Sequence, residues 1–145
     1  MAQGSVTTFE EFRASLGNAL HNLNTDTHKI MLVNTAPAAS LATPDSADFS
    51  GTEVSGTGYT AGGETAAISA AEAGGTLTVT LDTPITWTKN AAGPTDIKYA
   101  VIYSTTAASS DAIGFIDMTT DAGTTAISLV DGDITIAAGT IFTLA

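Results

Sequence analysis

The sequence predicts a mainly β protein, an antiparallel β-sandwich or flattened barrel of about 8–9 strands with one N-terminal amphipathic helix. Three observations carry that expectation. Short runs rich in Thr, Val and Ile recur from residue 28 to the end of the chain, separated by Gly, Pro, Asn and Asp. Between them no helical pattern supplies the crossovers that a parallel sheet needs. Helical spacing of apolar residues is confined to the beginning of the chain.

The helix is expected over residues 7–23, "TTFEEFRASLGNALHNL". Thr7 with Glu10, or Thr8 with Glu11, offers a capping box. Phe9, Phe12, Leu16, Leu20 and Leu23 fall on one stripe. Gly17 weakens its middle by about 1 kcal/mol relative to Ala, so the stripe needs something to pack against. That partner is either the chain's own domain or a neighbouring subunit. Residues 1–26 are thus expected as an arm and helix, and 27–145 as one β-sandwich domain.

The strands follow in order. "HKIMLV" (28–33) is short and apolar and is stopped by "NTAPA"; residues 36–57, rich in Pro, Ser, Asp and Gly, read as a surface excursion with at most an edge strand. "ETAAIS" (64–69) leads through the "AEAGG" turn into "TLTVTLD" (76–82), which alternates with Leu77, Val79 and Leu81 on its buried face. "PITWT" (84–88) comes next. "DIKYAVIYS" (96–104) is apolar on both faces in its middle, as a central strand must be. "AIGFIDM" (112–118), "TAISLV" (125–130), "DITIA" (133–137) and "TIFTL" (140–144) complete the series.

Charge narrows the partners. Fifteen acidic residues against four basic ones give a net charge of −11. Phosphate backbones are held by clustered Lys and Arg, whereas Arg13, Lys29, Lys89 and Lys98 are scattered, so no nucleic acid and no anionic membrane is expected as a partner. The charge is also uneven: residues 1–35 carry only −1 of it. With no cysteine, a disulfide framework and thiolate metal sites are excluded. No basic, apolar leader opens the sequence, and no run reaches the ~18 apolar residues of a membrane span, so synthesis in a cytoplasm is the default expectation.

Candidate chemistry is thin. "GYTAGGET" places Gly58 and Gly63 at P-loop spacing, but Glu64 stands where the phosphate-binding lysine belongs, and no strand-loop-helix surrounds it. The expectation is a structural turn in which Gly58, Gly62 and Gly63 permit positive φ and Tyr59 anchors on the sheet. His21 and His28 lack a third metal ligand and read as partly exposed surface residues. "DGD" (131–133) reads as a turn rather than a calcium loop. Trp87, Tyr99 and Tyr103 sit on alternating strands and read as core rather than as a sugar platform. No catalytic, metal or nucleotide-binding residues and no cofactor are expected, and the chain is not read as an enzyme.

Three segments carry a resemblance. "HNLNTDTHKIMLVNTAPA" (21–38) resembles a pattern in which a helix ends in H-N-L-x-x-D-T and a strand ends in M-L-x-N-T-A-P. "GTGYTAGGET" (56–65) is similar to a G-N-G-Y-T-A-G-G block, and "IKYAVIYSTTAASSDAIGFID" (97–117) to R-Y-A-V-L-Y-N-D-T followed by I-G-W. In this order they resemble the small virion structural proteins of tailed bacteriophages. Lys98 stands where that pattern often has Arg, and Phe115 where it has Trp.

The resemblance implies a capsid decoration (cement) protein on the exterior of the virion head. Its partners would be the phage major capsid protein and itself, with a trimer favoured. A tail, neck or baseplate component is the alternative, with a glycan-binding adhesion module further off. The candidate capsid or subunit interface is Phe9, Phe12, Leu16, Leu20, Leu23 and Met31.

Overall fold

The computed structural model describes residues 5–107 and 110–145. Ten strands and two short helices follow in the order β1 (Val6–Thr8), α1 (Phe12–Gly17), β2 (His28–Val33), α2 (Ser46–Ser50), β3 (Glu64–Ala66), β4 (Ile68–Ala73), β5 (Thr76–Leu81), β6 (Ile85–Trp87), β7 (Tyr99–Ser104), β8 (Ala112–Asp117), β9 (Ile134–Ile136) and β10 (Gly139–Leu144). The protein is mainly β, and every strand pairing is antiparallel.

Three sheets share the strands: β1-β8-β7-β2-β3, β10-β5-β4, and the pair β6-β9. They do not close into one barrel. One cluster of buried residues draws on all three, including Leu32, Ile102 and Ile116 from the first, Val79 and Leu81 from the second, and Trp87 and Ile136 from the third. β7 is the middle strand of five, and Ala100 through Ser104 are buried on both of its faces. Phe9 is buried beside the neighbouring strand β8, its ring 5.4 Å from Phe115 and 5.7 Å from Phe49.

β3 and β4 are separated only by Ala67, so one extended run leaves the first sheet and enters the second. The following hairpin turns at Gly74 and Gly75, with φ of 60° and 85°. Two successive positive φ values are what a tight two-residue hairpin needs, and Gly supplies them without steric cost.

Several expectations are corrected. The long helix over 7–23 is not formed. The β-branched run Val6–Thr8 pairs with Gly114–Ile116 as an edge strand, and the helix keeps only residues 12–17. Neither threonine caps it: the helix begins at Glu11 with no side-chain cap, and that carboxylate accepts from the Ser15 hydroxyl instead. It stops after Gly17 in a Schellman motif. The Leu20 N–H donates to the Ser15 carbonyl, the Ala19 N–H to that of Leu16, and Ala19 takes φ +56°. β1 lies in the main sheet, and Phe9 and Phe12 are fully buried in the core.

The 36–57 excursion is more structured than expected. Asp45 caps α2 through its side chain while Asp48 returns a bond to the Asp45 N–H. The helix delivers Phe49, and the chain after it Val54, into the core. The strand expected at 125–130 is reduced to a single bridge between Ile127 and Ile97.

Candidate functional site

The three motif segments, far apart in sequence, meet along β2. At its Val33 end stands the "GYTAGG" turn, in which Gly58, Gly62 and Gly63 adopt φ of 84°, 87° and 79°. The Tyr59 hydroxyl donates to Glu53 Oε1 (2.6 Å) and accepts the Leu32 N–H (3.0 Å). The same Glu53 oxygen accepts the Gly62 N–H (2.6 Å), and the Tyr103 hydroxyl of β7 donates to the Gly62 carbonyl (2.6 Å). A side chain at Gly63 would collide with the Ile30 carbonyl, so this position must be glycine. Burial, reinforced by the bond to the Glu53 carboxylate, holds the Tyr59 hydroxyl far above the usual tyrosine range.

A strand follows this turn, not a helix: Glu64 opens β3 opposite Ile30. The cradle of helix N–H groups that a phosphate requires is not built here.

At the other end of β2 lies "HNLNTDT". The Asn22 N–H donates to Asp26 Oδ2 (2.8 Å), and the Asp26 N–H returns to the Asn22 carbonyl (2.8 Å). This closed loop sends Leu23 into the core. The reading of His21 and His28 as surface residues is corrected, since they are only 5% and 1% exposed. The edge of the His21 ring meets Phe12 with centroids 5.3 Å apart. Its Nε2 is 3.9 Å from Asp111 Oδ2, too far for a hydrogen bond, and neither of its ring nitrogens has a hydrogen-bond partner. His28 Nε2 has none either.

Burial lowers the pKa of both imidazoles and outweighs the opposing pull of nearby carboxylates, from Asp111, Asp26 and Glu11 on His21 and from Asp26 on His28. It also raises that of Asp111, against the opposing influence of His21. Among the described residues no group of three His, Cys, Asp or Glu side chains could hold a metal ion.

The six interface candidates are split. Phe9, Phe12, Leu23 and Met31 are buried in the chain's own core, so those four cannot meet a partner in the folded protein. Leu16 is half-buried, and Leu20, 41% exposed just past the helix, is the exposed large apolar residue of the described chain. Arg13, Leu16 and Gly17 line a shallow bay of about 320 Å³ with Leu144 and Ala145 beyond β10.

The aromatic trio does not form a platform: Trp87 and Tyr103 are buried and Tyr99 is half-buried. In "DGD", Asp133 accepts the Lys89 N–H (2.7 Å) and so joins two turns.

Sequence reasoning missed Glu53, the acceptor at the centre of the turn, and Asn24. The Asn24 side chain donates to the Ala70 carbonyl (3.2 Å) and accepts the Ala70 N–H (2.8 Å). Neither residue has a sequence motif to mark it: Glu53 acts on the turn that follows it, and Asn24 on a strand that folding brings to it. No protein-family model, no curated protein and no solved structure matches this chain.

Proposed function

We propose that this is a structural protein of a tailed-bacteriophage virion, a decoration (cement) subunit bound in many copies to the outer face of the head. The observation that carries the reading is the meeting of the three resemblance motifs on β2. Tyr59, Gly62 and Tyr103 bond parts of this chain to one another, and His21 and Leu23 are buried within it. Residues used this way define a scaffold, and a scaffold acts through its surface.

That surface is strongly acidic, and it would be repelled by packaged DNA but tolerated on the water side of a shell. Contact with the shell falls to the weakly charged region around Arg13, Leu16 and Leu20. Burying about 1,200–2,000 Å² there, across a boundary between capsomers, would raise the cost of pulling them apart. A trimer fits the local three-fold positions of such a shell.

The test is to add purified protein to expanded heads lacking it, then follow co-sedimentation and the temperature of DNA release. Saturable binding with a raised release temperature, weakened by Leu20→Asp, is the expected result. No binding, or label confined to the tail in electron micrographs of whole particles, overturns the proposal.

A further inference from the structure

The segment between α1 and β2, residues 18–27, is fastened by two contacts and opposed by a third feature. Leu23 is buried. The Asn24 amide grips both backbone groups of Ala70 on the outer edge of β4, standing in for a neighbouring strand. His21 and His28 bracket the segment from inside the protein, and three of their four ring nitrogens are buried without a hydrogen-bond partner. Such groups are satisfied at once by water when the segment lifts away.

We propose that His21 and His28 form an acid-responsive latch, which keeps residues 18–27 docked while both imidazoles are neutral and releases them on protonation, uncovering the β4 edge and Leu23. This stands independently of the virion reading.

The groups that face the latch decide its direction. His21 looks onto Asp111 at the start of β8, Asp26 in its own segment, Glu11 ahead of α1, and the uncharged ring of Phe12. His28 faces Asp26 and His21, and across the sheet it is paired with the uncharged Ser104 and Ala66. The carboxylates favour the charged imidazoles, but none forms a hydrogen bond to them. Asp111, the nearest, sits beside Asp45 and Glu11 and is itself driven toward its neutral form. Two imidazolium ions this close would also repel each other.

On release the His21 ring regains water, and the His28 ring at the start of β2 does so once the segment ahead of it has left; both then return to the ordinary value of 6.5, which docking lowers. The released form therefore binds more protons between the lowered value and 6.5. Docking is at full strength above that pH and weakens as the pH falls through it. Each proton taken up multiplies the release equilibrium by up to about tenfold per pH unit, and two protons by up to about a hundredfold.

With only two histidines in the chain, NMR titration of the unmodified protein reads each imidazole directly. Hydrogen exchange at the Ala70 amide, which the Asn24 side chain protects, reads the latch itself once corrected for intrinsic chemistry. Both rings are expected to titrate below the ordinary value. Protection at Ala70 should drop from pH 7 to pH 5.5, by up to about seventyfold if both imidazoles are protonated on release, while the β7 amides keep theirs. His21→Gln and His28→Gln should each remove one proton from that slope. If either variant fails to fold, the titration of the unmodified chain decides. An imidazole titrating at or above 6.5, unchanged protection at Ala70, or an undiminished slope in the double variant overturns the proposal.

Discussion

Toward its Val33 end, β2 meets Tyr59 and Glu53; at its His28 end it meets His21, Asp26 and Asp111. Both ends bury polar side chains under the same sheet, but they are finished differently. Around Tyr59 the donors find acceptors within 2.6–3.0 Å, and the acid of the group, Glu53, stays at the rim where it also takes the Gly62 N–H. Around His21 the nearest acidic oxygen is 3.9 Å away, and three ring nitrogens are left alone. A satisfied polar cluster fixes one geometry through the pH range in which imidazoles titrate, whereas orphaned imidazoles tie geometry to pH there. A single strand thus carries a permanent fastening and a conditional one.

The sharpest way to break this contrast is at Gly63. Gly63→Ala puts a side chain at φ 79° against the Ile30 carbonyl, and both the left-handed backbone and the collision must be relieved. A loss of roughly 3–5 kcal/mol in denaturant unfolding is expected. A loss under about 1 kcal/mol would mean that the turn is not pinned as described.

Tyr59→Phe is the next test. It removes the donor to Glu53 and leaves the buried Leu32 N–H without its acceptor, a cost of about 1–3 kcal/mol. Because the Tyr59 hydroxyl is held far above its usual range, it stays protonated, and the loss should be the same at pH 5.5 and pH 7.5. A pH-dependent loss in thermal or chemical unfolding would erase the distinction between the two ends.

The smallest effect sharpens the comparison from the histidine side. Ala19 occupies a left-handed position where glycine is the better residue, at the start of the latch segment. Ala19→Gly should stabilise the fold by about 0.5–1 kcal/mol without changing the pH slope assigned to His21 and His28. A changed slope would show that the helix end, and not the imidazoles, governs that segment.

Much of the sheet was legible in the sequence because alternation and turn residues act locally. The bounds of β2 and β10 fall within a residue of "HKIMLV" and "TIFTL", and Val79 and Leu81 are inward as their spacing requires. The N-terminal helix misled because Phe9 and Phe12 are buried for a reason that helical spacing shares with a strand and a single helical turn. Val6–Thr8 found a partner in β8, and tertiary pairing overrode the local pattern. The glycine turn could be read from composition, but not its centre, since Glu53 looks like any surface acid until Tyr59 folds onto it. The histidines failed for the same reason: their burial is made by Phe12, Asp111 and the end of β2 arriving together, which no local window contains.

The one-residue step at Ala67 has a consequence for how this protein can vary. Ala66 and Ile68 face inward and Ala67 outward, so the in-out rhythm of the first sheet passes unbroken into the second. The two sheets are phase-locked. A residue inserted or deleted at this corner would turn Ile68 toward water and Ser69 inward, or else turn Ala66 outward opposite its partner His28. Length changes are expected to be tolerated at the Gly74–Gly75 tip, whose surroundings are open, and to be lethal to the fold here.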